Sequence, residues 1–188
     1  MAMLMVVSML PEMAMADGEQ TYVAQIGENT YTDIYEAAAA MQAGDTLTLL
    51  ADVDIGKHNP VEGYVGFVVN GTFDLNGYTL SGEVRGPIVK FDASKDVTFT
   101  IKDSSEGKTG KIINRSTDTA GSVNAIDIAE STVTIDGGTY SAYYPIADAS
   151  TTGLTILGGT FDGGGGILEL AVAAGHLKPG GGGAVGGG

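Results

Sequence analysis

The sequence predicts an all-β chain wound as a single-stranded parallel β-helix, closed at its N-terminal end by one short helix. Three observations support this. A block of sequence recurs at a spacing of 21 residues, each copy sets short alternating runs around a Gly-Gly pair, and one stretch alone has a helical pattern.

The repeat is the strongest signal. Ala125-Ile126-Asp127-Ile128 stands 21 residues before Ile146-Ala147-Asp148-Ala149. At the same spacing Val133-Thr134-Ile135-Asp136-Gly137-Gly138-Thr139-Tyr140 falls on Leu154-Thr155-Ile156-Leu157-Gly158-Gly159-Thr160-Phe161 without a gap. One more step brings Ile167-Leu168-Glu169-Leu170 under the first block, and Phe73–Leu80 matches the second block at a spacing of 60. Residues 97–103 alternate in the same way without the Gly-Gly pair. Period-two alternation predicts strands. A unit this short, with strands and no crossover helix, cannot bury its own apolar face, so it must stack on its copies. Val133, Ile135, Leu154 and Ile156 are then expected inside, with Thr134 and Thr155 outside. An antiparallel sandwich with hairpins at the Gly-Gly and Asn-Gly pairs is the competing architecture.

The helical stretch is Asp33 to Ala43, with Asp33 as N-cap, Glu36 completing a capping box and Gly44 at the left-handed C′ position. Ile34, Ala37, Ala38 and Met41 form its apolar stripe. Such a helix is expected to cover the strand edges and core side chains at the open end of a stack.

The two ends differ in composition from the repeats. Residues 2–10 are an apolar run, followed by Ala14-Met15-Ala16 and polar DGEQ. This pattern reads as residues 1–16 of a secretory signal peptide cut after Ala16, too short to span a bilayer. No Lys or Arg precedes Lys57, so the sequence is expected to begin inside its signal. Residues 17–178 are assigned to the β-helix domain. Residues 179–188 form a Gly-rich flexible tail.

Composition excludes several functions. There are 23 acidic against 9 basic side chains, a net charge of −14. Nucleic acid needs clustered Lys and Arg, so it is not an expected partner. The chain has no Cys, which removes disulfides, thiolate zinc sites and cysteine nucleophiles. His58 and His176, the two histidines, lie too far apart in the chain to suggest a shared site. Glu106-Gly107-Lys108-Thr109 ends like a phosphate-binding loop but lacks its first glycine and its strand–loop–helix setting, and reads as a charged turn. The T-x-T pairs Thr46/Thr48, Thr98/Thr100 and Thr132/Thr134 have the look of an ice-binding face, but exposed Thr is simply favoured on strands.

The segment GENTYTDIYEAAAAMQAGDTLTLLADVDI resembles the opening of exported bacterial right-handed β-helix proteins of the pectate-lyase-like superfamily. VTIDGGTY and LTILGGTF are similar to the repeats of large adhesin-like bacterial surface proteins. The resemblance covers roughly residues 22–163 and implies a right-handed turn, export to the medium or cell surface, and contact with host or dietary glycans. It also implies two alternatives: a carbohydrate-active enzyme of pectate-lyase type, or a passive spacer in a larger surface protein.

Candidate site residues follow from the repeat. A lyase would set acids around Ca²⁺ and use Arg or Lys as base, yet Arg85 and Arg115 occupy no repeat position that gathers acids. A hydrolase needs carboxylates on one face across neighbouring repeats. Asp127, Asp148 and Glu169 share one repeat column and are expected to point outward about one strand spacing apart. Lys90 is expected at the equivalent place one repeat earlier. Three stacked carboxylates stay solvated, take up a proton or share a cation; a solvated ladder is the leading expectation and weak Ca²⁺ binding the alternative, with no other cofactor implied. Tyr143-Tyr144-Pro145, the densest aromatic group, is expected at a joint between repeats. Its rings either stack on sugar or fold back over that joint.

Overall fold

The computed structural model describes residues 21–58, 63–92, 96–118, 123–148, 153–165, 168–170 and 178–179; the expected signal peptide and the tail after Pro179 lie outside them. The elements run β1 (Ala24–Ile26), β2 (Asn29–Tyr31), α1 (Ile34–Ala40), β3 (Asp45–Leu49), β4 (Val53–His58), β5 (Val65–Phe67), β6 (Gly71–Asp74) and β7 (Thr79–Val84). They continue with β8 (Pro87–Phe91), β9 (Thr98–Lys102), β10 (Lys111–Asn114), β11 (Asn124–Asp127), β12 (Thr132–Ala142), β13 (Tyr144–Asp148), β14 (Leu154–Gly163), β15 (Leu168–Leu170) and β16 (Lys178–Pro179). The described chain is therefore mostly β, with one helix.

Apart from the β1 pairings, every strand pairing is parallel. The strands sort into three ladders. The first holds β3, β6, β9, the start of β12, the start of β14 and β16. The second holds β4, β7, β10 and the ends of β12 and β14. The third holds β5, β8, β11, β13 and β15. The chain visits them in fixed order, first, second, third, and each such pass pairs with the next. Because β12 and β14 run unbroken through the first two ladders, those ladders, with β1 and β2 added at the edge of β3, form one eleven-stranded sheet, and the third is a separate five-stranded sheet. The parallel pairing of β12 with β14 rules out hairpins at Gly137-Gly138 and Gly158-Gly159, which the sandwich alternative required.

Alternation sets the inner face. Leu47, Phe73, Ile101 and Ile135 stand opposite one another along the first ladder, all fully buried. Val133 is buried as expected, Leu154 is 9 % exposed and Ile156 packs partly buried against the core. On the outer face Thr46, Thr72, Thr100, Thr134 and Thr155 form one continuous column. The column on one side reads Thr48, Asp74, Lys102, Asp136, and on the other Thr98 stands opposite Thr132, so paired threonines stack over two passes, β9 and β12, and not along the whole ladder. In the earlier passes Phe67, Phe73, Phe91 and Phe99 cluster with ring centroids 4.6–5.8 Å apart. In the later ones Tyr140 stacks on Phe161 at 5.1 Å.

The spacing of 21 holds where β12 meets β14, through Val133–Leu154, Thr134–Thr155 and Tyr140–Phe161. The spacing of 60 is right for Leu80, which reaches Tyr140 by way of Ile112. It is two residues short for Phe73, which stands in line with Ile135 rather than Val133. The β6–β7 corner accounts for the difference, since the chain takes seven residues from Phe73 to Leu80 but five from Ile135 to Tyr140.

The helix starts as the sequence requires: Asp33 Oδ1 accepts from the Tyr35 and Glu36 amides at 2.7 and 3.0 Å. It ends at Ala40, three residues short of the expected Ala43. Met41 leaves the helix with ψ 138° and buries its side chain, while Asp45 Oδ2 accepts from the Gln42 amide at 2.8 Å. Burial of Met41 and this side-chain cap thus replace the last helical turn. Gly44 has a positive φ of 93°, but with Met41 as the C-cap it lies in the loop beyond the helix and not at the expected C′ position. The helix packs against β1, β2 and β5. Among the described residues no helix is long and apolar enough to cross a membrane.

Candidate functional site

Asp127, Asp148 and Glu169 do not form one column. Along the third ladder Lys90 stands opposite Asp127, Asp127 opposite Ala147, and Ala147 opposite Glu169. Asp148 is one position out of line and pairs with Leu170. The steps are 20 and then 22 residues, which average the sequence repeat but take Asp148 out of register with Asp127 and Glu169. With side chains alternating along a strand, a slip of one residue changes the face. Of Asp148 and Glu169 the structure describes the backbone alone. Lys90 occupies the place expected for it, and its Nζ lies 3.8 Å from Asp127 Oδ2. Asp127 Oδ1 also accepts from the Ala129 amide at 3.1 Å.

Tyr143 and Tyr144 are half-buried, with their rings edge to face at 4.7 Å. A Cβ on Gly165 would come within 2.6 Å of both rings, so they lie over the Gly164-Gly165 turn of the next pass. Tyr143 is the single residue between β12 and β13, and Tyr144-Pro145 already belongs to the strand. The aromatic group therefore sits at a corner within one pass and folds back on its neighbour rather than standing free.

The acidity has a use that the repeat pattern concealed. At the corner between the first two ladders, Asp103 is fully buried. Its Oδ1 accepts from the Gly77 and Ser105 amides at 2.9 and 3.1 Å, and its Oδ2 from the Gly110 amide at 2.6 Å. Burial by itself would raise the Asp103 carboxyl, but hydrogen bonds from the Ser105 side chain and from the Gly110, Ser105 and Gly77 amides outweigh it and hold the group below the usual range. Lys108 Nζ donates to the Asp103 carbonyl across the same loop, and Ser105–Lys108 is a turn, as expected.

Similar acceptors recur from pass to pass. Asp74 Oδ1 takes the Ser104 amide at 3.0 Å, Asp52 Oδ1 the Thr79 amide at 2.7 Å, and Asn70 Oδ1 the Thr98 amide at 2.8 Å. Asn114 Oδ1 takes the Val84 amide at 3.2 Å, while its Nδ2 donates to the Val84, Gly86 and Asn124 carbonyls. Each of these side chains fastens a corner of one pass to the next.

The cations are distributed likewise. Lys102 Nζ is 3.4 Å from Asp74 Oδ2. Arg85 pairs with Asp118, and Arg115 reaches Ser81 Oγ at 2.7 Å and Asp54 Oδ2 at 2.8 Å, crossing two passes. Each arginine thus holds one carboxylate, through contacts between ladder edges that the repeat spacing does not align. The Gly56 amide chiefly lowers the Asp54 carboxyl against a smaller burial effect, with Arg115 assisting. Among the described residues no group of three or more His, Cys, Asp or Glu side chains gathers as a metal site.

Two clefts remain. One of about 250 Å³ lies beside α1, lined by Asp33, Tyr35, Asp52 and Asp54. Three of those side chains are carboxylates already accepting backbone amides. The other, about 390 Å³, lies over β5 and β8 and is lined by Tyr64, Lys90 and Asp92 above Phe67 and Phe91. Sequence reasoning missed it, since Tyr64 and Lys90 are far apart in the chain and belong to no shared motif.

No protein-family model matches the chain, no curated protein matches its sequence, and no solved structure matches its fold.

Proposed function

We propose that the three ladders close into a right-handed parallel β-helix, and that the chain is an exported, adhesin-like module that binds glycans at a bacterial surface or in the medium. The observation that carries this reading is the in-register stacking of five passes, from Thr46 to Thr155 along one column. Stacked passes give a long rigid body whose side faces are free to bind. The likeness to pectate-lyase-like and adhesin-like proteins supplies the expectation of export and of a sugar partner.

A binding role is favoured over a polysaccharide lyase or hydrolase by how the acids are used. Catalysis of either kind needs carboxylates free to hold a cation or a proton at one place. Asp52, Asp54, Asp74, Asp103 and Asp127 all accept backbone amides instead. The test is a glycan array, run beside incubation with polygalacturonate and Ca²⁺ followed by ultraviolet absorbance. Binding without unsaturated product is the expected result. Product formation would overturn the binding reading in favour of the lyase, and silence in both assays would overturn it in favour of a spacer.

A further inference from the structure

We propose that the cleft over β5 and β8 is the sugar site, and that it takes a neutral pyranose ring stacked on Tyr64 with Lys90 donating to its hydroxyls. This deepens the glycan-binding reading and rests on it.

The aromatic platform is built by the register. Gly66 stands opposite Lys90 across the two strands. With no side chain at Gly66, the Tyr64 ring lies down over it; a Cβ there would come within 3.3 Å of Tyr64 Cε2. Lys90 Nζ then sits 5.5 Å from the ring centroid. Ring and ammonium thus share one place, and both remain partly exposed. The floor is rigid, since Phe67 and Phe91 are buried to within 1 %. Val68, at 44 % exposure, adds apolar surface to the wall. It is one of three large apolar side chains that stand exposed among the described residues.

The chemistry selects a sugar, and a neutral one. A pyranose has an apolar C–H face that stacks on an aromatic ring and an equatorial rim of hydroxyls that accept from an ammonium. The volume of about 390 Å³ lies at the small end of the ~300–1,000 Å³ usual for small-molecule sites. A carboxylated sugar is disfavoured on charge. Lys90 already faces Asp127 at 3.8 Å, Asp92 lines the same cleft, and the chain carries −14 overall. Tyr143 and Tyr144 offer a poorer platform, because their rings pack edge to face on each other at 4.7 Å.

The probes are neutral gluco-, galacto-, manno- and xylo-oligosaccharides beside oligogalacturonate, titrated calorimetrically into the full chain and into Tyr64→Ala, Tyr64→Phe, Lys90→Ala and Tyr143→Ala. At least one neutral series binds, Tyr64→Ala weakens it about five- to tenfold, as expected for one stacking contact, and Lys90→Ala weakens it less. Tyr64→Phe and Tyr143→Ala retain binding, and melting temperatures confirm that each variant folds. Neutral-sugar binding that survives Tyr64→Ala but fails in Tyr143→Ala overturns the cleft and leaves the glycan-binding function intact. A preference for oligogalacturonate overturns the neutral class. Absence of binding to every probe overturns both proposals together.

Discussion

The corner between the first and second ladders is made in two different ways. Between β9 and β10 it is an eight-residue loop folded around a buried carboxylate, Asp103. Two strands on, β12 turns the same corner with Gly137-Gly138 alone, both at positive φ, and no loop. The two solutions are in contact: the Thr139 amide donates to the Gly110 carbonyl at 2.9 Å, and the Asp103 amide to the Asp136 carbonyl at 3.1 Å. Polar side chains hold a corner in place when the chain needs extra residues there. Backbone freedom makes the corner when it does not. The stack tolerates either, because only the strands must keep register.

The strongest way to break this comparison is to empty the looped corner. Asp103→Ala leaves the Gly77, Ser105 and Gly110 amides without their acceptor in a buried place, a loss of about 3–5 kcal/mol in urea unfolding. Asp103→Asn keeps one carbonyl acceptor and is expected to lose less. A corner that survives Asp103→Ala within 1 kcal/mol, a factor of about five, would mean that the loop is held by strand pairing alone.

The glycine corners are expected to fail at Gly138 and not at Gly158, which follows Gly137 in the next pass. Gly138 has φ 82°, and a Cβ there would meet Leu75 Cδ1 at 2.9 Å. Gly138→Ala therefore costs about 1–3 kcal/mol. Gly158 has no positive φ, and its nearest neighbour would be at 3.6 Å, so Gly158→Ala stays within about 0.5 kcal/mol. Equal melting points for the two variants would remove backbone conformation as the reason for the pair.

Acid separates the two corners, because only one contains a carboxylate that must stay charged. The folded-state value of Asp103 is lowered below its unfolded one, so its contribution is fully present above the unfolded carboxylate value of about 3.9 and is lost as pH falls through the lowered folded value. The fall in stability below pH ~4 should be shallower in Asp103→Asn than in the parent chain, while Gly138→Ala shifts the curve without changing its slope. At the alkaline end the sign reverses. Burial, then the charges of Asp103 and Asp136, pushes the Tyr140 phenol up, so its contribution persists below the unfolded value of about 10 and is lost above it.

How far the fold could be read in advance follows from the same contrast. VTIDGGTY and LTILGGTF were legible because the glycine corner needs no loop, so strand register and sequence spacing coincide at 21 on either side of it. Asp148 was misplaced because the third ladder steps by 20 and then by 22, a difference invisible to a search for constant spacing. Asp103 ends the alternating run 97–103, and nothing in that run marks it as buried. Its burial depends on Leu75 and Gly77, more than 25 residues earlier, and no local pattern announces such a contact. The cleft at Tyr64 was hidden likewise, since its ring and its ammonium meet only through the pairing of β5 with β8.

The smallest expected effect tests whether the charge columns or the corner acceptors hold the passes together. Lys102 lies between Asp74 and Asp136 in its column and pairs with Asp74 at 3.4 Å, with 37 % of its side chain exposed. Lys102→Gln removes that cation but leaves Asp74 its hydrogen bonds from the Asn76 and Ser104 amides. A pair this exposed is worth under about 1 kcal/mol, and salt screens it further. The loss should shrink when sodium chloride is raised, whereas the Asp103→Ala loss should not. A Lys102→Gln penalty as large as that of Asp103→Ala would reverse the order argued here. The alternation of Asp74, Lys102 and Asp136 would then be the main tie between passes, with the buried acceptors secondary.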